Sequence, residues 1–536
     1  MKIIKSFYYF FSVLIVINIS ACGKTLLETP YSTYSTENLY KTQADAEAAI
    51  AGVYSDLNSY DFFVKPYWEE LDDDQDHIAG QAFALSTDGA GNFASDYKTS
   101  SNYGGPYVMI GRCNSILERV PAIQMDTLIK NRILGEAHFL RSWAYFNLVR
   151  MFGGVSLRTS TVKSADSTNI PRSSVAEVYQ QIISDLNFAE TNLPYASEPG
   201  APALGHVNKA AAQGFLAKVY VAIGAASLKG AQLTVQGGND NAMYTYNKDL
   251  VAGFESFDSK KYYQMALDEA NKLINSNQYS LFPHYMNLWN KANDNKVEHI
   301  WMLQTLSSPA TQGLTVSSYF TEGSIGGKSY LYLDDNFYHS FTRKMDERIL
   351  YGVTHNGGSA GSYFYYPLED STYYKNGPNG VASFINTGYI TKYFSPDNTY
   401  LKGTNYPLLR YADVLLMYAE AENEVNGPTQ NAINALNKVR ARANPDILST
   451  DPYFNLSSLN QQQLRSKIFA ERGFELYMES NRRFDLTRWG VYLQVMNQIG
   501  TSKQNVTKTR LPRCLLFPLP VNEITADPMV SQNPGW

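Results

Sequence analysis

Between residues 131 and 157 (NRILGEAHFLRSWAYFNLVRMFGGVSL) apolar side chains fall at Ile133, Leu134, Ala137, Leu140, Trp143, Ala144, Leu148 and Val149. Steps of three and four residues are the helical period, and a stripe this wide predicts a helix pressed against neighbours on more than one side. Arg141 and Arg150 lie off the stripe, and Phe152-Gly153-Gly154 ends it with residues that tolerate positive φ. The same period predicts a helix over 42–57, with Ala46, Ala49, Ile50, Val53 and Leu57 on one face. It predicts another over 175–193, where Val178, Ile182, Leu186 and Ala189 are in step and Pro194 is the stop. Further helices are expected over 107–119, 208–223, 261–275, 406–426, 429–443 and 464–479, the last followed by the basic-aromatic run Arg482 to Trp489.

The period fades twice. From Tyr60 to Tyr107 the chain carries Tyr67-Trp68-Glu69-Glu70, then Asp72-Asp73-Asp74-Gln75-Asp76, then a Gly/Ser/Asn-rich tract. From Tyr279 to about Tyr400 a single strand is expected near 297–304, and Gly, Ser, Tyr and Pro dominate 319–330 and 357–374. The stretch between the helices at 208–223 and 261–275 reads as one long loop containing Gly237-Gly238-Asn239-Asp240-Asn241. Irregular chain of that length in a compact protein is usually functional or disordered. Several helices come in pairs with alanine at close-packing positions, as in tetratricopeptide-like repeats. Loops of very different length exclude a regular array. The fold class expected is mainly α, a tetratricopeptide-like helical scaffold (mainly 36–280 and 400–490) with a large loop-rich excursion and little β; the ligand region is expected mainly in 60–105 and 280–400.

Composition changes the picture at three points. A formal charge of -5 over 536 residues argues against nucleic acid as a partner. Forty tyrosines supply flat apolar faces with polar tips, suited to hydroxyl-rich, partly apolar ligands or to filling gaps between helices. At the N-terminus two lysines precede an apolar run from Phe7 to Ile19 and then Ser20-Ala21-Cys22. This is a secretory signal, residues 1–21, too short to span a membrane. Ile19-Ser20-Ala21-Cys22 resembles the bacterial lipobox, so cleavage before Cys22 and acylation of that cysteine are expected, giving an exported, lipid-anchored protein starting at residue 22; an ordinary signal peptide with an incidental cysteine is the alternative. Cys113 and Cys514 then remain, to pair or to stay as thiols.

Motifs for catalysis fail on context. Gly357-Gly358-Ser359-Ala360-Gly361 satisfies G-x-S-x-G, but Ser362 to Pro367 cannot open the helix a nucleophile elbow needs. Gly89 and Gly91 imitate a dinucleotide fingerprint with no helix expected after them. Asp72, Asp74 and Asp76 alternate as in a calcium loop, but His77 and Phe83 stand where Gly and Glu would be required, so a solvated acidic loop is expected and no metal. No cofactor motif occurs. A carboxylate pair for glycoside hydrolysis needs only proximity in space and stays open. Ligand contact is assigned to aromatic residues in the irregular stretches: Trp68, Phe93, Tyr97, Tyr103, Tyr319, Tyr363 and Tyr365, whose faces suit sugar C–H surfaces, with Asp74 and Asn92 for hydroxyls. Trp143, Phe146, Trp289 and Trp301 are assigned to packing.

Five ordered blocks carry a family resemblance: GEAHFLRSWAYFNLVRMFGGVSL (135–157), YPLLRYADVLLMYAEAENEVNG (406–427), INALNKVRARA (433–443), IFAERGFELYMESNRRFDLTRWG (468–490) and LFPLPVNEITADPMVSQNPGW (516–536). Together they resemble the SusD/RagB family of outer-membrane nutrient-binding lipoproteins. The resemblance implies a tetratricopeptide-like core with variable loops, and an oligosaccharide-binding protein that is not an enzyme. It also implies that ligand is delivered to a TonB-dependent, SusC-like transporter, on the cell exterior. RagB-type members imply a peptide or glycopeptide ligand as the alternative. The segment after Cys22, Gly23-Lys24-Thr25-Leu26-Leu27-Glu28, is less acidic than the usual surface-export signal. The blocks are scaffold, so no site residue carries over from them.

Overall fold

The structure is a computed structural model and describes residues 39–59, 62–93, 97–163, 168–306, 313–321, 323, 326–343, 345–356, 363–364, 388–394, 402–502 and 506–536. The lipobox, the G-x-S-x-G tract and Tyr365 lie outside the described residues.

The first half is a succession of helices: α1 (Gln43–Leu57), the short α2 (Trp68–Asp73), α3 (Tyr97–Arg119), α4 (Thr127–Phe152), α5 (Val175–Asn192), α6 (Lys209–Ser227) and α7 (Ser259–Asn275). Their starts are set by side chains that satisfy the otherwise orphaned first N–H groups. Thr42 with Asp45 and Ser174 with Glu177 form capping boxes, and Asp126, Asn208 and Asp258 cap α4, α6 and α7. At the other end of α4, Gly153 adopts φ +74° while its N–H still bonds Val149. A side chain there would be strained whatever its size. The rest of the chain adds α8 (Val316–Phe320), α9 (Asp335–His339), α10 (Glu347–Leu350), α11 (Tyr411–Asn426), α12 (Gln430–Ala443), α13 (Gln461–Glu475), α14 (Arg482–Arg488), α15 (Tyr492–Ile499) and α16 (Val521–Ala526).

Neighbours in sequence are neighbours in space. α1 packs on α3 and α4, then α4 on α5, α5 on α6, α6 on α7, α7 on α11, and α11 on both α12 and α13. This is a mainly helical, tetratricopeptide-like scaffold, as expected. α7 meets α11 across an excursion of more than a hundred residues. The base of that excursion is closed by β4 (His299–Leu303) pairing antiparallel with β9 (Tyr406–Arg410). Trp301 of β4 is buried against Phe139, Trp143 and Phe215 of α4 and α6, so the strand pair is welded to the helices by aromatic edges. α6 is apolar and long enough to cross a membrane by composition, but nearly all of it is enclosed by the other helices. Cys113 and Cys514 are buried free thiols.

Four expectations are corrected. The stretch 406–410 is strand, and its helix begins at Tyr411; the helical period of 411–426 extends by chance into residues that β4 needs as a ladder partner. α3 starts ten residues before the expected position and carries Pro106 in its interior. Asn102 and Tyr103 are buried on that first half and Gly105 abuts the Phe62 ring, so tertiary packing outweighs the proline penalty. The long loop after α6 contains a hairpin, β2 (Ala231–Gly237) with β3 (Ala242–Lys248), in register Leu233↔Tyr246. Only Leu233 and Val235 of β2 point to the core, towards α13, which is too few apolar positions to show the two-residue period. The acidic run 72–76 is not a solvated loop: all its residues are buried.

Candidate ligand-binding site

The irregular stretch after α1 is anchored from below. Phe63–Tyr67 forms a π-turn containing Pro66 and leads directly into α2. Trp68 opens α2 and is fully enclosed: its indole N–H donates to the Val64 carbonyl (3.0 Å) and to Thr315 Oγ1 (3.2 Å). Tyr319 and Phe320 of α8 meet its ring edge-on at 5.3 and 5.4 Å. Glu70 accepts from the Thr99 hydroxyl and from Asn102 Nδ2, which fixes α2 to the first turns of α3 and so places Tyr97.

The acidic run then locks this stretch to the C-terminal third. Asp74 is held by Arg483 Nε (2.8 Å), Arg510 Nε (2.9 Å) and the Tyr492 hydroxyl. Asp76 is held by two nitrogens of Arg482 at 2.8 and 2.6 Å. Burial alone would raise both carboxyls, but the arginines outweigh it and both are held below the usual carboxylate range. Asp72 accepts from the backbone and hydroxyl of Ser480, and burial pushes it up to about 7. Burial, followed by the Arg482 charge, draws His77 down to about 3, and its ring stacks on Phe337 at 3.6 Å. These charges are structural clamps. Among the described residues no group of acidic, histidine or cysteine side chains has the geometry of a metal site.

On this base stands a ridge of aromatic rings. β1 (Ile78–Gly80) pairs antiparallel with β5 (Leu331–Leu333), and the ladder continues through Gln81 N–H to the Tyr330 carbonyl (2.9 Å) and Tyr330 N–H to the Tyr319 carbonyl (3.0 Å). Three chain segments are thereby fixed side by side. Phe83, 59% exposed, meets Tyr330 edge-on at 5.0 Å, and Tyr330 meets Tyr319 edge-on at 5.1 Å. Lys65 Nζ lies over the Tyr319 ring (5.8 Å) and the Tyr97 ring (5.6 Å), with Glu69 at 3.8 Å, and Tyr97 is 51% exposed. The result is a run of rings, Phe83–Tyr330–Tyr319–Lys65–Tyr97, in which Phe83 and Tyr97 are exposed, Tyr330 is half-buried and Tyr319 is the buried link, with polar groups at Lys65, Gln81 and the Tyr97 hydroxyl. A surface with an apolar face and polar tips suits a ring-shaped ligand that presents C–H patches and hydroxyls together.

The residues named from sequence divide accordingly. Tyr97 stands exposed on the ridge, whereas Tyr319 is a correction: it is buried between Trp68 and Tyr330 and links the exposed rings from within. Trp68 lies beneath it with no face open, a correction: it is the ridge's support. Asp74 is likewise corrected, since both its oxygens are occupied by arginines and Tyr492. Phe93 is enclosed by Phe517 and Trp536, and Tyr103 is buried against Tyr107 and Phe152 with its hydroxyl towards Glu523; neither offers a surface. Asn92 is exposed but its Nδ2 donates to the Ser86 carbonyl. Tyr363 lies in the two-residue β7 (Tyr363–Phe364), paired with β6 (Val353–Asn356), which also pairs with β8 (Tyr389–Ile390). Lys65, Phe83 and Tyr330 were missed; Tyr330 ends the Tyr-rich tract 319–330, but nothing local distinguishes Phe83.

With fold and site described, the comparisons with known proteins define the class. The model of the SusD family matches residues 233–536, and a second, described as starch-binding associating with outer membrane, matches 26–221. The chain belongs to the SusD family. It is 24% identical to the SusD-like protein P25 of Formosa agariphila over 99% of this chain and 98% of that protein. It is 25% identical to the SusD-like protein P2 of the same organism, over 98% of each. Among solved structures, a SusD homologue from Bacteroides thetaiotaomicron superposes with a TM-score of 0.74 at 22% identity, covering 94% of this chain and 98% of the other. A laminarin-binding SusD-like protein superposes with a TM-score of 0.67 at 22% identity, covering 93% and 100%.

Proposed function

We propose that this chain is a glycan-binding lipoprotein of the outer membrane that takes oligosaccharide onto the Phe83–Tyr330–Tyr319–Tyr97 ridge and passes it to a TonB-dependent, SusC-like transporter. The carrying observation is the ridge itself: Phe83 and Tyr97 are exposed at its ends, half-buried Tyr330 lies between them, and the buried Tyr319 and Trp68 brace them together with the backbone ladders. Family membership supports the ligand class, as do the names of a laminarin-binding neighbour and a starch-binding family model. The lipobox at Cys22 supports lipid anchoring, and the family resemblance supports the exterior face. The protein holds and hands over its ligand without cleaving it.

The test is calorimetric titration of the protein from residue 23 onward against neutral glycans, laminarin and starch oligosaccharides among them, with peptides as the comparison set. Binding of at least one glycan without release of shorter products supports the proposal. Binding confined to peptides would reassign the ridge to the RagB-type reading, and sustained product release would make the protein a hydrolase.

A further inference from the structure

On another part of the molecule a cavity of about 320 Å³ lies between α4, α5, α6 and α14, under the segment 512–516. It shares no lining residue with the aromatic ridge. Its walls are mostly apolar, with Phe146, Tyr179, Ala222, Phe254 and Leu516 contributing. The charges in its lining are lopsided: Arg150, Lys218, Arg472, Arg488 and Arg513 face it, against Asp485 as the lining carboxylate.

Three of these cations are already neutralised. Arg472 and Arg488 both hold Asp485, and each has a second acid, Asp413 and Glu420 respectively. Lys218 takes the other oxygen of Asp413 at 3.1 Å. Arg513 and Arg150 make no ion pair among the described residues; Arg513 is exposed, with its guanidinium over the Trp536 ring at 4.6 Å, and Arg150 is the one set in the wall. Its Nε donates to the Phe146 carbonyl (3.1 Å) and one Nη to Asn147 Oδ1 (2.5 Å). The guanidinium is clasped between the rings of Phe484 (3.6 Å) and Phe146 (4.0 Å). Burial lowers its pKa, with only tyrosines and the already engaged Asp485 acting the other way. Ring faces attract a cation but do not neutralise it, and a guanidinium in an apolar wall is a strong site for a planar anion.

We propose that this cavity is a second binding site, for a small amphipathic carboxylate: the carboxylate on Arg150 and an apolar body of roughly ten heavy atoms, in keeping with the cavity's size, against Phe146, Tyr179 and Phe254. The inference does not depend on what the ridge binds.

The experiment is calorimetry of the whole soluble chain with octanoate and 4-phenylbutyrate, and with octanol as the neutral counterpart. Octanoate and phenylbutyrate are expected to bind, octanol at least tenfold more weakly. Arg150→Met, which keeps the stem between the two rings, is expected to weaken octanoate at least tenfold and leave octanol unchanged. Ala222→Trp, which fills the cavity from α6, is expected to abolish carboxylate binding without altering glycan affinity, and it serves alone if the Arg150 variant does not fold. Absence of carboxylate binding at millimolar concentration in folded protein would overturn the proposal. So would octanol binding as tightly as octanoate, or octanoate binding unaffected by either variant.

Discussion

Each exposed ring of the ridge rests on side chains whose own partners are internal, so exposed and buried aromatics differ in what their loss should do. Trp68→Ala removes a fully buried indole, its two hydrogen bonds and the edge contacts with Tyr319 and Phe320, and is expected to cost about 3–5 kcal/mol of stability in chemical denaturation. The charge clamps make a pH prediction with two signs. Asp74 and Asp76 titrate below their unfolded values, so their contribution is present above about pH 4 and lost as pH falls through the folded pKa. His77, drawn down to about 3, binds its proton more readily in the unfolded chain, so acid below about pH 6.5 also destabilises. Asp72 runs the other way: raised to about 7, it holds its proton in the fold, and its contribution declines as pH rises from about 4 to 7. Urea unfolding of Asp72→Asn at pH 5 and 7.5 should therefore show a larger gain in stability with pH than the native protein shows. An equal or smaller gain would mean that Asp72 is ionised throughout.

At the scale of elements, the helices were legible because their apolar stripes and caps are local, from Thr42 at α1 to Asn208 at α6. The site was not, because the stretch around Trp68 is buried by residues more than two hundred positions away: Thr315 and Tyr319 above it, Arg483 and Arg510 behind the acidic run. Loop aromatics looked like a surface because the segments that cover them come later in the chain. The same distance effect explains why the expected solvated acidic run is a buried clamp. The close approach of α6 to its neighbours depends on two glycines. A Cβ on Gly224 would lie 2.9 Å from the buried Tyr263 ring, and one on Gly214 2.7 Å from Leu409. Helix propensity favours alanine over glycine by about 1 kcal/mol, but overpacking against a buried ring costs typically 1–3 kcal/mol. Gly224→Ala is therefore expected to lower the melting temperature in spite of its better propensity. A raised melting temperature would show that α6 and α7 can slide apart freely.

Across the whole molecule, the scaffold fixes a ridge on one set of loops, and the proposed lipid anchor is Cys22. If Cys22 is the acylated residue, Cys22→Ser should abolish metabolic labelling by palmitate and release the protein from outer-membrane vesicles, while the native chain is labelled and stays bound. Pull-down of the native lipoprotein should recover a large outer-membrane barrel, and its absence would remove the delivery step from the proposal. The most direct test of the central claim is the affinity of the ridge for the glycan identified by titration, measured for Phe83→Ala, Tyr97→Ala and the double variant alongside their melting curves. Each single change should weaken binding about tenfold, about 1.4 kcal/mol, and the double change more, with melting temperatures unmoved because both rings are exposed. Undiminished affinity in the folded double variant would contradict the account and place the glycan elsewhere.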